Sequence, residues 1–196
     1  MSNMTSTKLK VVPMAKGESH KLRTLDLAYI GMFVALTAIC SQIQIPLSVP
    51  FTLQTFAVLI TVSLLGTGRG LAAVLIYILL GTIGVPVFAG FTGGYGILLG
   101  NTGGYIVGFI FTALVTGVIQ KLFGKKLPVM IISMVLGILV CYVFGTVWFI
   151  LFYTRTEGAI SIMTALAWCV FPFIIPDLCK IALAIFLDKR LAGLMK

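Results

Sequence analysis

The sequence is short of charge. Only 10% of its 196 residues are Asp, Glu, Lys or Arg, and only five are acidic. Hydrophobic residues make up 60% of the chain, and the mean hydropathy is +1.15. A soluble domain of this length cannot bury so much apolar surface. The composition therefore excludes an ordinary soluble protein and indicates an all-α integral membrane protein with one compact domain.

The sequence also lacks the motifs of common enzyme and metal chemistry. It has one histidine, and its four cysteines form no CxxC pair, so we expect no metal site and no disulfide framework. No GxxxxGK[ST] phosphate loop is present to bind ATP. Asp177 is the one acid placed in the core of an apolar segment, since Asp26 and Asp188 fall at segment ends and Glu157 in a loop, which excludes a pair of intramembrane carboxylates. We therefore expect a protein that is not an enzyme and has no cofactor.

Apolar segments suited to crossing a bilayer, which takes about 20 residues, follow one another along the chain. They cover residues 25–43, 51–66, 70–87, 103–120, 128–153 and 160–187. The last contains Pro172 and Pro176, which are expected to divide it and to start a helix near Pro176. The prediction is a compact bundle of six transmembrane helices over residues 23–196, preceded by a flexible basic tail over residues 1–22.

Basic residues sort to one side of this six-helix topology. Arg155 alone falls on the other side, and the favoured side carries twelve: Lys8, Lys10, Lys16, Lys21, Arg23, Arg69, Lys121, Lys125, Lys126, Lys189, Arg190 and Lys196. An excess of Lys and Arg marks the cytoplasmic side, so both termini are predicted to be cytoplasmic. The same distribution explains the net charge of +9 without a nucleic-acid partner, because no basic stripe with interleaved aromatic residues occurs.

The predicted outer loops are unusual for connections in a membrane protein. "SQIQIPLSVPFTLQTF" joins the first two spans, and "GVPVFAGFTGGYGILLGNTGGYIVGF" joins the third and fourth and contains TGGY twice. Dense glycine permits positive φ and close approach of the backbone. Irregular backbone at membrane depth is tolerated where it is buried in protein or lines a cavity. The second loop is therefore read as a re-entrant loop with tight turns or as a wall that faces a ligand, and the two readings overlap.

An acid and a base stand together in the last span. Asp177 and Lys180 are three residues apart, so they share a helix face. A charge at membrane depth is usually functional, although a structural salt bridge gives the same pattern. A binding site is favoured because Pro176, at a helix start, would direct free N–H groups to an outer cavity, and because the pair offers both a donor and an acceptor. The other candidate ligand contacts are Gln54, Asn101, Tyr95, Tyr105, Phe88, Phe91, Gly93 and Gly94.

Four motifs in order resemble one family of membrane proteins. "VPFTLQTF", "GVPVFAGFTGGYG", "GNTGGYIVGF" and "FPFIIPDLCK" resemble the biotin-specific substrate-binding (S) components of energy-coupling-factor (ECF) vitamin transporters, the BioY family. The resemblance covers residues from about 25 to 190. One position departs from the family's usual GPTGGY pattern, because Asn101 stands where that pattern has proline.

The resemblance implies a six-helix protein of the prokaryotic cell membrane that captures biotin from outside. It implies a transmembrane coupling subunit and two cytoplasmic ATPase subunits as partners, together with the lipid bilayer. Two alternatives remain: an S component for another vitamin, and an ion-coupled secondary transporter in which Asp177 carries a proton. Ion-coupled secondary transporters usually contain inverted repeats. The only repeat found in this sequence is the local pair of TGGY motifs.

Small residues in the first span are candidates for helix contact. Gly31 and Ala35 have the small-xxx-small spacing that lets helices approach closely in lipid, and Ala28 and Ala38 flank them. The pattern serves either packing inside the bundle or contact with a partner. The resemblance favours docking to the coupling subunit.

Overall fold

The structure, a computed structural model, describes residues 24–45, 49–191 and 193, and it is mainly helical. Its elements are α1 (Thr24–Gln42), β1 (Gln44–Ile45), β2 (Phe51–Thr52), α2 (Gln54–Thr82), α3 (Tyr95–Leu99), α4 (Gly103–Phe123), α5 (Leu127–Thr156), α6 (Ile162–Cys169) and α7 (Phe171–Leu191). The predicted basic tail lies outside the described residues. Within the described part, five helical stretches are long and apolar enough to cross a membrane: Thr24–Gln42, Gln54–Thr82, Gly103–Phe123, Leu127–Thr156 and Ile162–Leu191.

Helix α2 folds back on itself at Gly66, where φ is 78° and ψ is 172°. The side-chain NH₂ group of Gln54 donates a hydrogen bond to the Tyr77 hydroxyl. In a straight helix these two residues would lie about 35 Å apart, at 1.5 Å per residue. The helix therefore consists of two antiparallel arms, residues 54–65 and 67–82, which correspond to the predicted second and third apolar segments.

The turn in α2 depends on glycine at position 66, so Gly66→Ala is expected to destabilise the protein by about 1–3 kcal/mol, because this backbone region is essentially restricted to glycine. A Cβ built on Gly66 meets nothing within 4 Å, so the loss comes from the backbone alone. Gly68→Ala is the matched control, since Gly68 is helical and its Cβ also meets open space. Thermal unfolding of both variants in one detergent tests this expectation, and equal midpoints would contradict it.

Helices α4 and α5 pack closely because glycines face the neighbouring helix. A Cβ on Gly104 would lie 2.2 Å from the Cβ of Trp148, and one on Gly145 would lie 2.2 Å from the ring of Tyr105. Small residues allow this approach in lipid, where close packing holds helices together. The contact fixes the Tyr105 ring between the two helices, and this ring is part of the site described below.

The basic connections lie together at one end of the bundle. Arg69, just after the turn of α2, forms an ion pair with Asp26 of α1 at 2.7 Å. Lys125, between α4 and α5, lies 3.8 Å from the carboxylate of Asp188 near the end of α7 and donates to the carbonyl oxygen of Ser63 in the first arm of α2. The start of α1, the α2 turn, the α4–α5 connection and the end of α7 are thereby neighbours.

The start of α7 corrects one prediction. The helix begins at Phe171, so Pro172 is in its first turn and Pro176 lies inside it. Proline is well suited to a first helical turn, because its missing N–H would have no partner there. The break in the last apolar segment falls at Val170, between α6 and α7, where φ is −129° and ψ is −57°. The free N–H groups expected beside Pro176 are therefore not at that position.

Candidate functional site

A cavity of about 300 Å³ lies between α2, α4, α5 and α7, at the end of the bundle opposite the basic connections. This volume is at the lower end of the range for small-molecule pockets, roughly 300–1,000 Å³. The cavity brings together a charged pair, amides and aromatic rings that the sequence analysis predicted: Gln54, Phe88, Asn101, Tyr105, Asp177 and Lys180.

The charged pair of α7 lies in the wall of this cavity and is almost fully buried. Lys180 Nζ is 2.7 Å from Asp177 Oδ1, and each side chain is 5% exposed. The Tyr142 hydroxyl donates to Asp177 Oδ2, and the Thr55 hydroxyl donates to Oδ1 at 3.3 Å. Buried charges are tolerated when they are paired and hydrogen-bonded. The carboxylate therefore has donors on both of its oxygens.

All three N–H groups of the Lys180 ammonium are used within the protein. They donate to Asp177 Oδ1 at 2.7 Å, to Thr55 Oγ1 at 2.9 Å and to the backbone carbonyl of Thr52 at 2.6 Å. A lysine ammonium has three donors and no acceptor. Nζ also lies 4.0 Å from the ring centroid of Phe51, a cation–π distance. In this state Lys180 ties strand β2 to α7, and a ligand must displace one of these partners to bond to it directly.

Gln54 and Phe88 form a connected wall of the cavity. The Gln54 side-chain oxygen accepts from the Thr52 hydroxyl at 3.0 Å, and its NH₂ group donates to the Tyr77 hydroxyl. Tyr77 in turn donates to the carbonyl of Val87 at 3.0 Å and meets the Phe88 ring edge to face at 5.6 Å. The wall is therefore rigid, with the Gln54 amide already engaged by protein partners.

Tyr105 and Asn101 line the cavity beside the start of α4. The Tyr105 hydroxyl donates to the carbonyl of Cys169 at 3.1 Å, which links α4 to the end of α6. Phe173 of α7 is a further aromatic residue of the lining. The cavity is thus bounded by rings as well as by polar groups.

Two predicted aromatic contacts, Phe91 and Tyr95, are not brought to the cavity. Phe91 is 73% exposed and Tyr95 is 72% exposed. Phe91 has a positive φ of 55°, and its N–H is held by the side-chain oxygen of Gln42 at 2.8 Å. The bend in the loop turns both rings away from the bundle, a direction that the sequence does not reveal.

The glycines of the first TGGY motif also lie outside the cavity lining. A Cβ on Gly93 would lie 2.5 Å from the carbonyl oxygen of Val85. The N–H of Gly94, whose φ is 100°, donates to the carbonyl of Gly81 at 2.6 Å. These glycines permit a tight turn against the end of α2. Of the two readings of the loop, the tight turn describes this part of it.

Several lining residues were missed by the sequence analysis: Thr52, Thr55 and Tyr142 all contact the charged pair. Thr55 follows Gln54 directly and could have been found from that neighbour. Tyr142 gives no signal in the sequence, because it stands in the long apolar run of α5. Its role depends on how α5 is rotated against α7.

The small residues of α1 are divided between two environments. Ala28, Gly31 and Ala35 are exposed, and a Cβ built on Gly31 meets no described atom within 4 Å. Ala38 is partly buried and packs against the core. The first three therefore leave a small-residue face uncovered by the described part of the bundle, whereas Ala38 belongs to internal packing.

Apolar helices around a small cavity with a buried ion pair and aromatic walls define a class, that of multi-helix membrane proteins with a small-molecule site. Comparison with known proteins then gives the family. The BioY family profile matches residues 13–196, and the chain belongs to the BioY family.

Relatives with known names and one solved structure agree with this membership. The chain is 36% identical over 173 residues to a protein of Pyrococcus horikoshii named "Probable biotin transporter BioY". That match covers 88% of this chain and 99% of the Pyrococcus protein. It is 39% identical over 165 residues to "Biotin transporter BioY" of Thermotoga maritima, and that match covers 84% of this chain and 94% of the Thermotoga protein. A crystal structure of the S-component for biotin from an ECF-type ABC transporter matches with a TM-score of 0.76 and 26% identity, over 86% of this chain and 91% of that one.

Proposed function

We propose that this chain is the substrate-binding (S) component of an ECF-type transporter, which captures biotin from outside the cell and mediates its uptake with an ATPase-driven coupling module. The observation that carries the proposal is the buried Asp177–Lys180 pair in the wall of a cavity of about 300 Å³, in a chain of the BioY family. The names of its relatives and the matching S-component for biotin support it.

The chemistry of the cavity is complementary to biotin. Biotin carries a cyclic urea, which has two N–H donors and one carbonyl acceptor, on an apolar fused ring with a carboxylate tail. Ionised Asp177 is acceptor-only, so it is the partner for urea N–H groups. Phe88, Tyr105 and Phe173 supply the apolar surface for the ring system. A few placed polar groups among aromatic walls are typical of small-molecule sites.

The proposed topology has six spans, with both termini cytoplasmic, in the cell membrane of a prokaryote. The two arms of α2 support the count. The gathering of Arg69 and Lys125 at the end opposite the cavity supports the orientation, because basic connections mark the cytoplasmic side. The first arm, residues 54–65, rises about 18 Å, less than the roughly 30 Å hydrocarbon core. The cavity above it would thus lie at membrane depth and open outward.

The proposed partners are a transmembrane coupling subunit and two cytoplasmic ATPase subunits. The exposed face of Ala28, Gly31 and Ala35 is proposed to dock to the coupling subunit, since small residues permit close approach in lipid. Ala38 is excluded from that face because it packs inward.

Gly31→Trp is expected to abolish co-purification with the coupling subunit and to reduce ATP-dependent biotin uptake by about tenfold or more, because added bulk holds the helices apart. Biotin affinity should change by less than about twofold, since Gly31 lies away from the cavity. Val147→Trp, at an exposed position of α5, is the control for the effect of added bulk on a lipid-facing surface. Normal biotin uptake in both Gly31→Trp and Ala35→Trp would show that this face of α1 does not dock to the coupling subunit.

Mass spectrometry of the ligand released from purified protein, with uptake in energised vesicles, tests the proposed function. Released biotin and uptake that requires the ATPase module support it. A different vitamin in stoichiometric amount would favour an S component of other specificity. Biotin uptake driven by a proton gradient without ATPase subunits would favour an ion-coupled carrier that uses Asp177.

A further inference from the structure

We propose that Tyr142 fixes the Asp177 carboxylate and supplies a second acceptor beside it, so that the cavity selects ligands with paired N–H donors. The inference rests on the proposed function, and it assigns part of the site's specificity to a residue of α5. Tyr142 lines the cavity, and its hydroxyl donates to Asp177 Oδ2. This hydrogen bond joins α5 to α7 across the site.

The hydrogen bonds of Asp177 leave one direction for a ligand. An ionised carboxylate has about four lone-pair positions. Lys180 and Thr55 occupy both positions of Oδ1, at 2.7 and 3.3 Å. Tyr142 occupies one position of Oδ2, and it is the one donor to that oxygen among the described residues. The remaining acceptor position is thus on Oδ2, next to the phenol oxygen of Tyr142.

The Tyr142 hydroxyl adds a second acceptor beside the first. Because its proton is donated to Asp177, the phenol oxygen presents its own lone pairs and no donor to a ligand. Lys180 has no N–H group left for a ligand, so the oxygens of Asp177 and Tyr142 form a point of the cavity wall that offers acceptors and no donor. Two adjacent acceptors match the two N–H groups of a cyclic urea, and its carbonyl would meet only lone pairs here. Tyr142 therefore sets both the position of the carboxylate and the edge of the ligand that it accepts.

Titration of purified Tyr142→Phe with biotin and with N-methylbiotin, in which a methyl group replaces one urea hydrogen, tests the inference. Biotin affinity is expected to fall by about tenfold, as for the loss of one hydrogen bond to a charged group. The preference for biotin over N-methylbiotin should fall by about threefold or more, because one of the two acceptors is removed. Tyr153→Phe, on the same helix but outside the cavity lining, is the matched control and should retain both affinities.

A double-mutant cycle completes the test. In the Asp177→Asn background, Tyr142→Phe should have a much smaller effect than in the wild type, because the two residues act as one unit. An equal loss of affinity for both ligands, or full additivity in the cycle, would overturn this role of Tyr142 and leave the proposed function standing. Failure of folded wild-type protein to bind biotin would instead overturn the proposed function itself.

Discussion

Asp177→Asn is expected to weaken biotin binding by about a hundredfold or more, while the protein still folds. Asparagine has nearly the same shape, but it removes the negative charge and leaves the Lys180 ammonium without its counter-charge. Breaking one partner of a buried ion pair costs roughly 3–5 kcal/mol, and each 1.4 kcal/mol is a factor of ten in affinity. Part of this free-energy cost is expected as weaker biotin binding, because the same carboxylate is the acceptor for ligand N–H groups.

Calorimetric titration of monodisperse Asp177→Asn with biotin measures this loss. Asp188→Asn is a matched control, because Asp188 is also a buried acid of α7 but lies beside Lys125, away from the cavity. Its biotin affinity should stay within about twofold of the wild type. A structural salt bridge predicts the reverse for Asp177→Asn, with poor expression, aggregation and near-normal affinity in whatever protein folds.

Lys180→Ala is expected to weaken biotin binding by a similar factor, about a hundredfold or more, by a partly different route. The change leaves Asp177 without its cation, and it also removes the bond to the Thr52 carbonyl that holds β2 against α7. The loss should therefore include a looser attachment of β2 to α7. Folding should survive, because water in the cavity can solvate the exposed polar groups.

Lys180→Met separates charge from volume, since it keeps an unbranched apolar side chain at that position. Its affinity for biotin should be as low as that of Lys180→Ala. Hydrogen exchange at residues 51–54 should be faster in both variants than in the wild type, because the tether to β2 is lost. Unchanged biotin affinity in Asp177→Asn and in both Lys180 variants would remove the basis for placing the ligand at this pair.

Local spacing predicted much of the fold and part of the site. The predicted boundary between segments 51–66 and 70–87 coincides with the turn of α2, where Gly66 supplies a backbone region that other residues avoid. The i, i+3 spacing of Asp177 and Lys180 placed both on one face of α7. Such features depend on neighbours in the chain, which is why they can be read from sequence.

Features that depend on tertiary orientation could not be predicted in the same way. The acceptor that holds Lys180 at Thr52 is a backbone carbonyl, which every residue has, so its position is visible only in three dimensions. Tyr142 reaches Asp177 because of the rotation of α5 against α7. Phe91 and Tyr95 lie outside the cavity lining for a related reason, since their position depends on the course of the loop, in which Phe91 has a positive φ.

A structure of the protein purified with saturating biotin shows directly whether biotin binds at the Asp177–Lys180 pair. We expect biotin inside the cavity, with a urea N–H within hydrogen-bonding distance of Asp177 Oδ2 and the fused ring against Phe88, Tyr105 or Phe173. Biotin bound at another surface, or an empty cavity at saturating biotin, would contradict it.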